Sequence, residues 1–250
     1  MAEVRRVLYE GWDDFASNLR PQLFGRDSFE EQRFLFRGMR DSNWSLVSSF
    51  DRLFPDISDR RGVSAQLLTA FREACVEHLD AGGLTEDELL AIGQHHGLPT
   101  RLLDWSTSPY IGAWFALSNA LMHSPEAETY VSIWALHLEA PIWDGDLGVS
   151  IVKSPAAHNP RLRLQGGRFT RALTPFATLE EYVENMRVDC VGLTQMSLPA
   201  SDAARGLAEL QMMGITSHRL FPDLGGAAQS ALMSTRLAAA GELLRREAYR

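Results

Sequence analysis

The stretch Gly93-Gln94-His95-His96-Gly97-Leu98-Pro99-Thr100-Arg101-Leu102-Leu103-Asp104-Trp105-Ser106-Thr107-Ser108-Pro109 packs two histidines, an arginine, an aspartate, two serines and two threonines into seventeen residues. Leu102, Leu103 and Trp105 are interleaved with them, and helix-like apolar segments flank both ends. An exposed loop would not carry those three large apolar side chains. The block is therefore expected to be a polar site enclosed by core, where every buried polar group needs a partner. Such places are often functional.

Working outward, Thr85 and Glu88 have the spacing of a capping box, opening a helix with Leu89, Ile92, Gly93 and His96 on its inner face. Gly97 stops that helix and Pro99 follows. After Pro109 the period is helical again, through Tyr110, Ala113, Trp114, Leu117 and Leu121. Earlier, Asp13 to Leu23 reads as a helix, Phe34-Leu35-Phe36 as a buried strand ended by Arg37-Gly38, and Gln66 to Leu79 as a helix. Later, Thr129 to Leu138, Leu162 to Ala172 and Val188 to Leu198 read as strands. Ser201 opens a helix to Met213, and the turn Phe221 to Gly226 precedes a C-terminal helix over 227–250. Strands and helices do not alternate strictly, which favours α+β: a single domain over 1–250, with a small, mostly antiparallel β core surrounded by helices.

The formal charge of −8 argues against general binding to a nucleic-acid backbone, which draws on clustered cations. Lys153 is the only lysine. Arg161, Arg163, Arg168 and Arg171 could still form one local anion-binding face. No run approaches the roughly eighteen apolar residues of a membrane span. Met1 to Glu10 has no apolar core of a secretion signal. Two cysteines, Cys75 and Cys190, make neither a disulfide framework nor a thiolate metal site. A cytoplasmic location is the expectation.

Arg37 ends an apolar strand, so it either points into a cleft or pairs with Asp41, Asp51 or Asp104. Ser108 has the position of an N-cap before Pro109, leaving Ser106 as the better site candidate. His95 and His96 are adjacent, about 100° apart on a helix, and no metal-binding spacing accompanies them, so no metal is expected. By periodicity His96 packs inward, leaving His95 for a ligand or for acid–base work. Arg101 and Asp104 either pair with each other or leave Asp104 free as a carboxylate in the cleft. No Rossmann fingerprint or hydrolase elbow is present.

With Phe36-Arg37-Gly38 and Gln94 to Pro109 both in view, the chain resembles the FRG domain family. Arg163 to Thr170 and Gly214-Ile215 leading to Leu220–Gly226 fit the same pattern, so the resemblance covers about residues 30 to 230. The chain is also similar, less closely, to ADP-ribosyltransferases of the arginine-serine-glutamate type. Phe36-Arg37-Gly38, then Ser106-Thr107-Ser108, then a helix of small and aromatic residues follow in that family's order. This second resemblance implies a split β sheet, with NAD as substrate. Arg37, Gly38, Ser106, Arg101 and His96 would then bind the cofactor, while Asp104, Gln165 and His95 line the reacting side. It also implies transfer of ADP-ribose to a macromolecular acceptor, or hydrolysis of NAD. Where the family carries its glutamate, this chain offers Gln165, which accepts a hydrogen bond but brings no charge. The alternative is a catalytically silent nucleotide-binding or protein-interaction module that uses the same cleft.

Overall fold

The computed structural model describes residues 1–24, 33–78, 83–123, 129–152 and 160–248. In chain order its elements are β1 (Glu3–Leu8), α1 (Trp12–Phe24), β2 (Phe34–Met39), α2 (Ser49–Leu53), α3 (Arg60–Ala74) and α4 (Glu86–His95). There follow β3 (Leu102–Ser106), α5 (Pro109–His123), β4 (Tyr130–His137), β5 (Val149–Val152), α6 (Pro160–Leu164) and β6 (Gly167–Ala172). The chain ends with α7 (Leu179–Asn185), β7 (Val191–Pro199), α8 (Ala203–Met212), α9 (Ser217–Leu220) and α10 (Leu224–Ala248). The class is α+β, as the element order implied.

The seven strands among the described residues belong to one sheet, in the order β1-β7-β4-β2-β3-β6-β5. Only β1 and β7 run parallel; the other pairs are antiparallel. The strands hold unequally. β2 pairs with β4 along its whole length, and β3 with β6 along its whole length, but β2 meets β3 through the single pair Phe36↔Ser106. The sheet is therefore two well-bonded ribbons joined at one point.

Both faces of the centre are covered, so β4 reads as a continuous apolar run rather than an alternating one. Its Ile133 and Ala135 pack on one side with Phe34, Phe36, Trp114 and Leu117. Trp134 and Leu136 pack on the other with Leu35, Trp105, Tyr182 and Leu193. A third cluster, built on Leu68, Leu89, Leu102 and Phe169, fills the space under α3 and α4. α5 lies so close to β2 that a Cβ on Gly38 would sit 1.9 Å from the Gly112 carbonyl oxygen and 2.6 Å from the Ala116 nitrogen. Gly38 is thus needed for helix-on-sheet packing.

Several sequence boundaries shift. The stretch read as a strand from Leu162 divides into α6, which Pro160 opens, a left-handed turn at Gly166 (φ 58°), and β6. The helix read from Gln66 begins at Arg60, capped by the Asp59 side chain, and Leu79 lies outside the described residues. Lys153 does too. The C-terminal helix begins at Leu224, where Asp223 accepts a hydrogen bond from the Gly226 N–H at 2.9 Å. No helix among the described residues is long and apolar enough to cross a membrane.

Candidate functional site

The decisive stretch folds as two caps around one short strand. α4 opens on the capping box: the Thr85 hydroxyl accepts from the Glu88 N–H, and the Glu88 carboxylate accepts from the Thr85 N–H at 2.8 Å. It closes at Gly97 (φ 90°), where the Leu98 N–H turns back to the Gly93 carbonyl at 2.8 Å. Thr100 is clamped to α2, since its N–H donates to the Ser49 hydroxyl at 3.0 Å. The chain then runs straight into β3, which ends where Ser108 caps α5 through the Ile111 N–H.

Arg101 is the anchor of this turn. It is 3% exposed, and each of its three side-chain nitrogens donates to the protein. Nε reaches Asp51 at 3.1 Å, while Nη1 and Nη2 reach the carbonyls of Thr174 (2.7 Å) and Phe176 (2.8 Å). Asp51 is equally buried and also accepts from the Ser48 hydroxyl and from Arg60 Nη1, at 2.7 and 3.0 Å. Burial pushes the Arg101 pKa down, and the Asp51 carboxylate opposes that shift. Of the two alternatives the sequence left, the Arg101–Asp104 pair gives way to one between Arg101 and Asp51, fifty residues away in sequence.

Asp104 pairs instead with Arg37, which settles the choice among Asp41, Asp51 and Asp104. Arg37 Nη1 donates to the Asp104 carbonyl at 2.8 Å and lies 3.6 Å from its carboxylate. The guanidinium thus bonds β3 just beyond the point where the β2–β3 ladder stops. Its Nε is buried without a hydrogen-bond partner. Burial lowers the Arg37 pKa; Asp104 works against this, and the nearby positive charge of Arg52 adds to it. The other Asp104 carboxylate oxygen accepts from Gln94 Nε2 at 2.7 Å, and Gln94 Oε1 accepts from the Thr100 hydroxyl. That chain fixes which way the Gln94 amide points. Arg37, Arg52, Gln94 and Asp104, with Leu98 and Pro99, wall a cavity of about 230 Å³.

The remaining candidates lie elsewhere. The Ser106 hydroxyl donates to the Gln165 backbone carbonyl at 2.7 Å and accepts from the Ser108 N–H at 3.1 Å. The Gln165 amide donates to the Leu220 carbonyl at 3.1 Å. Ser106 and Gln165 thus meet each other, and neither lines the Arg37 cavity. His95 and His96 are both exposed, edge to face at 5.1 Å. The inward packing expected of His96 fails because α4 has ended: His96 is the C-cap, and Leu98 folds back over Gly93 where a further turn would have packed. The expected arginine face is largely neutralised, with Arg161 on Asp223 and Arg171 on Glu86 and Asp87. Among the described residues no group of three His, Cys, Asp or Glu side chains could hold a metal ion.

Sequence reasoning missed Gln94 and Arg52, and it offered Asp51 to Arg37 rather than to Arg101. Gln94 sits inside the opening block, so its position was a usable signal. Arg52 and Asp51 come from α2, and no local pattern ties that helix to β3.

Residues 32–124 match the family model of the FRG domain. No curated protein and no solved structure matches the chain. The match ends at α5, so the likenesses noted around Arg163–Thr170 and Gly214–Gly226 lie beyond it. Within the span the namesake tripeptide has three separate jobs. Phe36 fills the core, Arg37 ties the two ribbons of the sheet, and Gly38 admits the α5 backbone. The match thus places the likeness to the FRG domain in the segment that carries β2, the Arg101 anchor and the Arg37–Asp104 cavity.

Proposed function

We propose that the Arg37–Asp104 cavity binds NAD or a related nucleotide, and that the protein transfers ADP-ribose from it to a macromolecular acceptor or to water. One observation carries this reading. A guanidinium and a carboxylate share a cavity wall at the single place where the sheet is joined by one residue pair. Arg37 and Arg52 supply two cations for the pyrophosphate, and an arginine fork suits phosphate oxygens. Asp104 supplies the negative charge that Gln165 lacks. As the bond from ribose C1′ to nicotinamide breaks, nicotinamide leaves with the bonding pair and positive charge develops on the ribose. A carboxylate held in place stabilises that charge electrostatically. The acceptor oxygen or nitrogen then bonds C1′ and loses its proton to solvent. Cys75 and Cys190, both free thiols, fit work in the cytoplasm.

A specific observation favours a second reading, a binding module without transfer. Asp104 is already engaged by Arg37 and Gln94, and the Ser106 hydroxyl by Gln165 and Ser108.

Thermal denaturation with NAD and with ADP-ribose tests the shared premise of both readings. At about one hundred times Kd a ligand adds about 2.7 kcal/mol, which raises Tm by roughly 5–10 °C in a chain of this size. Arg37→Lys keeps the charge but loses the fork, and should abolish the rise. An equal rise in that variant would place the ligand elsewhere.

A further inference from the structure

A cavity of about 340 Å³ lies on the other side of Leu98-Pro99 from the Arg37 cavity, between α3, the start of α4 and the end of β6. Four arginines line it, Arg61, Arg72, Arg101 and Arg171, against one carboxylate, Glu86. Three of these cations are engaged within the protein: Arg101 by Asp51, Arg171 by Glu86 and Asp87, and Arg72 by a contact of its own. Arg61 makes no ion pair or side-chain hydrogen bond among the described residues, and its charge meets no carboxylate in the cavity. A chain of net charge −8 has little reason to gather cations around a hollow unless something negative enters it.

The spacing on α3 defines the shape. Arg61, Ala65, Leu68 and Arg72 follow one another at intervals of four, three and four, which puts them on one helical face. Arg72 stands eleven residues beyond Arg61, about 16 Å along the axis at the helical rise. The two cations therefore sit toward opposite ends, with Leu68, Leu90 and Leu98 between them as an apolar wall.

We propose that this cavity is a second ligand site, separate from the Arg37 cavity, for a phosphate monoester with a compact apolar body. Arg61 grips the phosphate as a fork. The body lies against Leu68, Leu90 and Leu98, and Arg72 contributes only long-range attraction. The volume falls in the range of small-molecule pockets, which begins at about 300 Å³.

Calorimetric titration of the full chain with phenyl phosphate, and separately with inorganic phosphate, tests this. Phenyl phosphate should bind at least tenfold more tightly than inorganic phosphate, because the ring buries apolar surface that the inorganic ion lacks. Arg61→Ala, at an exposed position, should weaken phenyl phosphate at least tenfold, and Arg72→Ala less than threefold. Ala65→Trp, also at an exposed position, fills the cavity without changing charge and should abolish binding while Tm holds. The NAD-induced rise in Tm should survive Arg61→Ala, and phenyl phosphate binding should survive Arg37→Lys, so the two sites fail independently. Absence of phenyl phosphate binding to the wild type would overturn the proposal. Equal affinity for inorganic phosphate, an unchanged Kd in Arg61→Ala, or loss in Arg37→Lys would overturn it as well.

Discussion

Two arginine–aspartate pairs meet at β3, and they are built in opposite ways. Arg101 and Asp51 are 3% and 2% exposed at the side chain, lie 3.1 Å apart, and are joined by Arg60, Ser48 and two carbonyls. Arg37 and Asp104 are 24% and 58% exposed, lie 3.6 Å apart, and leave Arg37 Nε without a partner. The first arrangement is closed and satisfies the charge it buries, as a structural anchor must. The second is loose and opens onto a cavity, the arrangement that the proposed ligand site needs. Both arginines stand in the same family segment, so residue type alone does not divide anchor from site; the completeness of their bonding does.

The contrast is open to attack first at the anchor. Asp51→Ala leaves Arg101 and Arg60 buried without their carboxylate, a loss of about 3–5 kcal/mol. In a chain of this size that lowers Tm by about 10 °C, measured by thermal denaturation. A fall of under about 2 °C would show that the closed pair is dispensable. Next comes the packing that brings α5 against β2. Gly38→Ala forces the α5 backbone away from a 1.9 Å contact, and overpacking of this kind costs about 1–3 kcal/mol. Denaturant unfolding should show a lower midpoint with an unchanged slope.

A smaller effect separates charge at these pairs from charge elsewhere in the sheet. His137 on β4 is pushed down to about 4 by burial, with Arg5 adding to the shift. The folded state thus binds its proton later than the unfolded chain, whose histidine titrates near 6.5. Stability is fully present above about pH 6.5 and falls as the pH drops through the window down to 4, by at most about 3 kcal/mol. His137→Gln should flatten that part of the curve in urea titrations at stepped pH. An identical slope in the variant would assign the dependence to other groups.

What the sequence made legible were features written within a few residues. The Thr85–Glu88 box, the Gly97 stop and the Ser108-Pro109 start all stand where expected; β4 falls within the stretch read for it, and β7 runs one residue past the end of its own. The same rule would have found α7, whose Thr178 and Glu181 form a second capping box. β1 escaped because Glu3, Arg5 and Arg6 make it look like a solvated terminus, yet its pairing with β7 needs no apolar face. The site divided along the same line. Arg37 and Asp104 were both named from the sequence, but the partner of each arginine depended on α2 and on the register at one strand pair. Local periodicity carries neither.

Nicotinamide release by wild type, Asp104→Asn and Gln165→Glu most directly tests the open pair as a working site. Asp104→Asn removes a half-exposed charge, so Tm should move by less than about 2 °C. NAD should still bind it, yet release should fall to background. Gln165→Glu should leave release near the wild-type rate, because Gln165 does not line the cavity. Release by Asp104→Asn at the wild-type rate would contradict the assignment, as would a large gain in Gln165→Glu, which would move the reacting side to the Ser106–Gln165 end of the sheet.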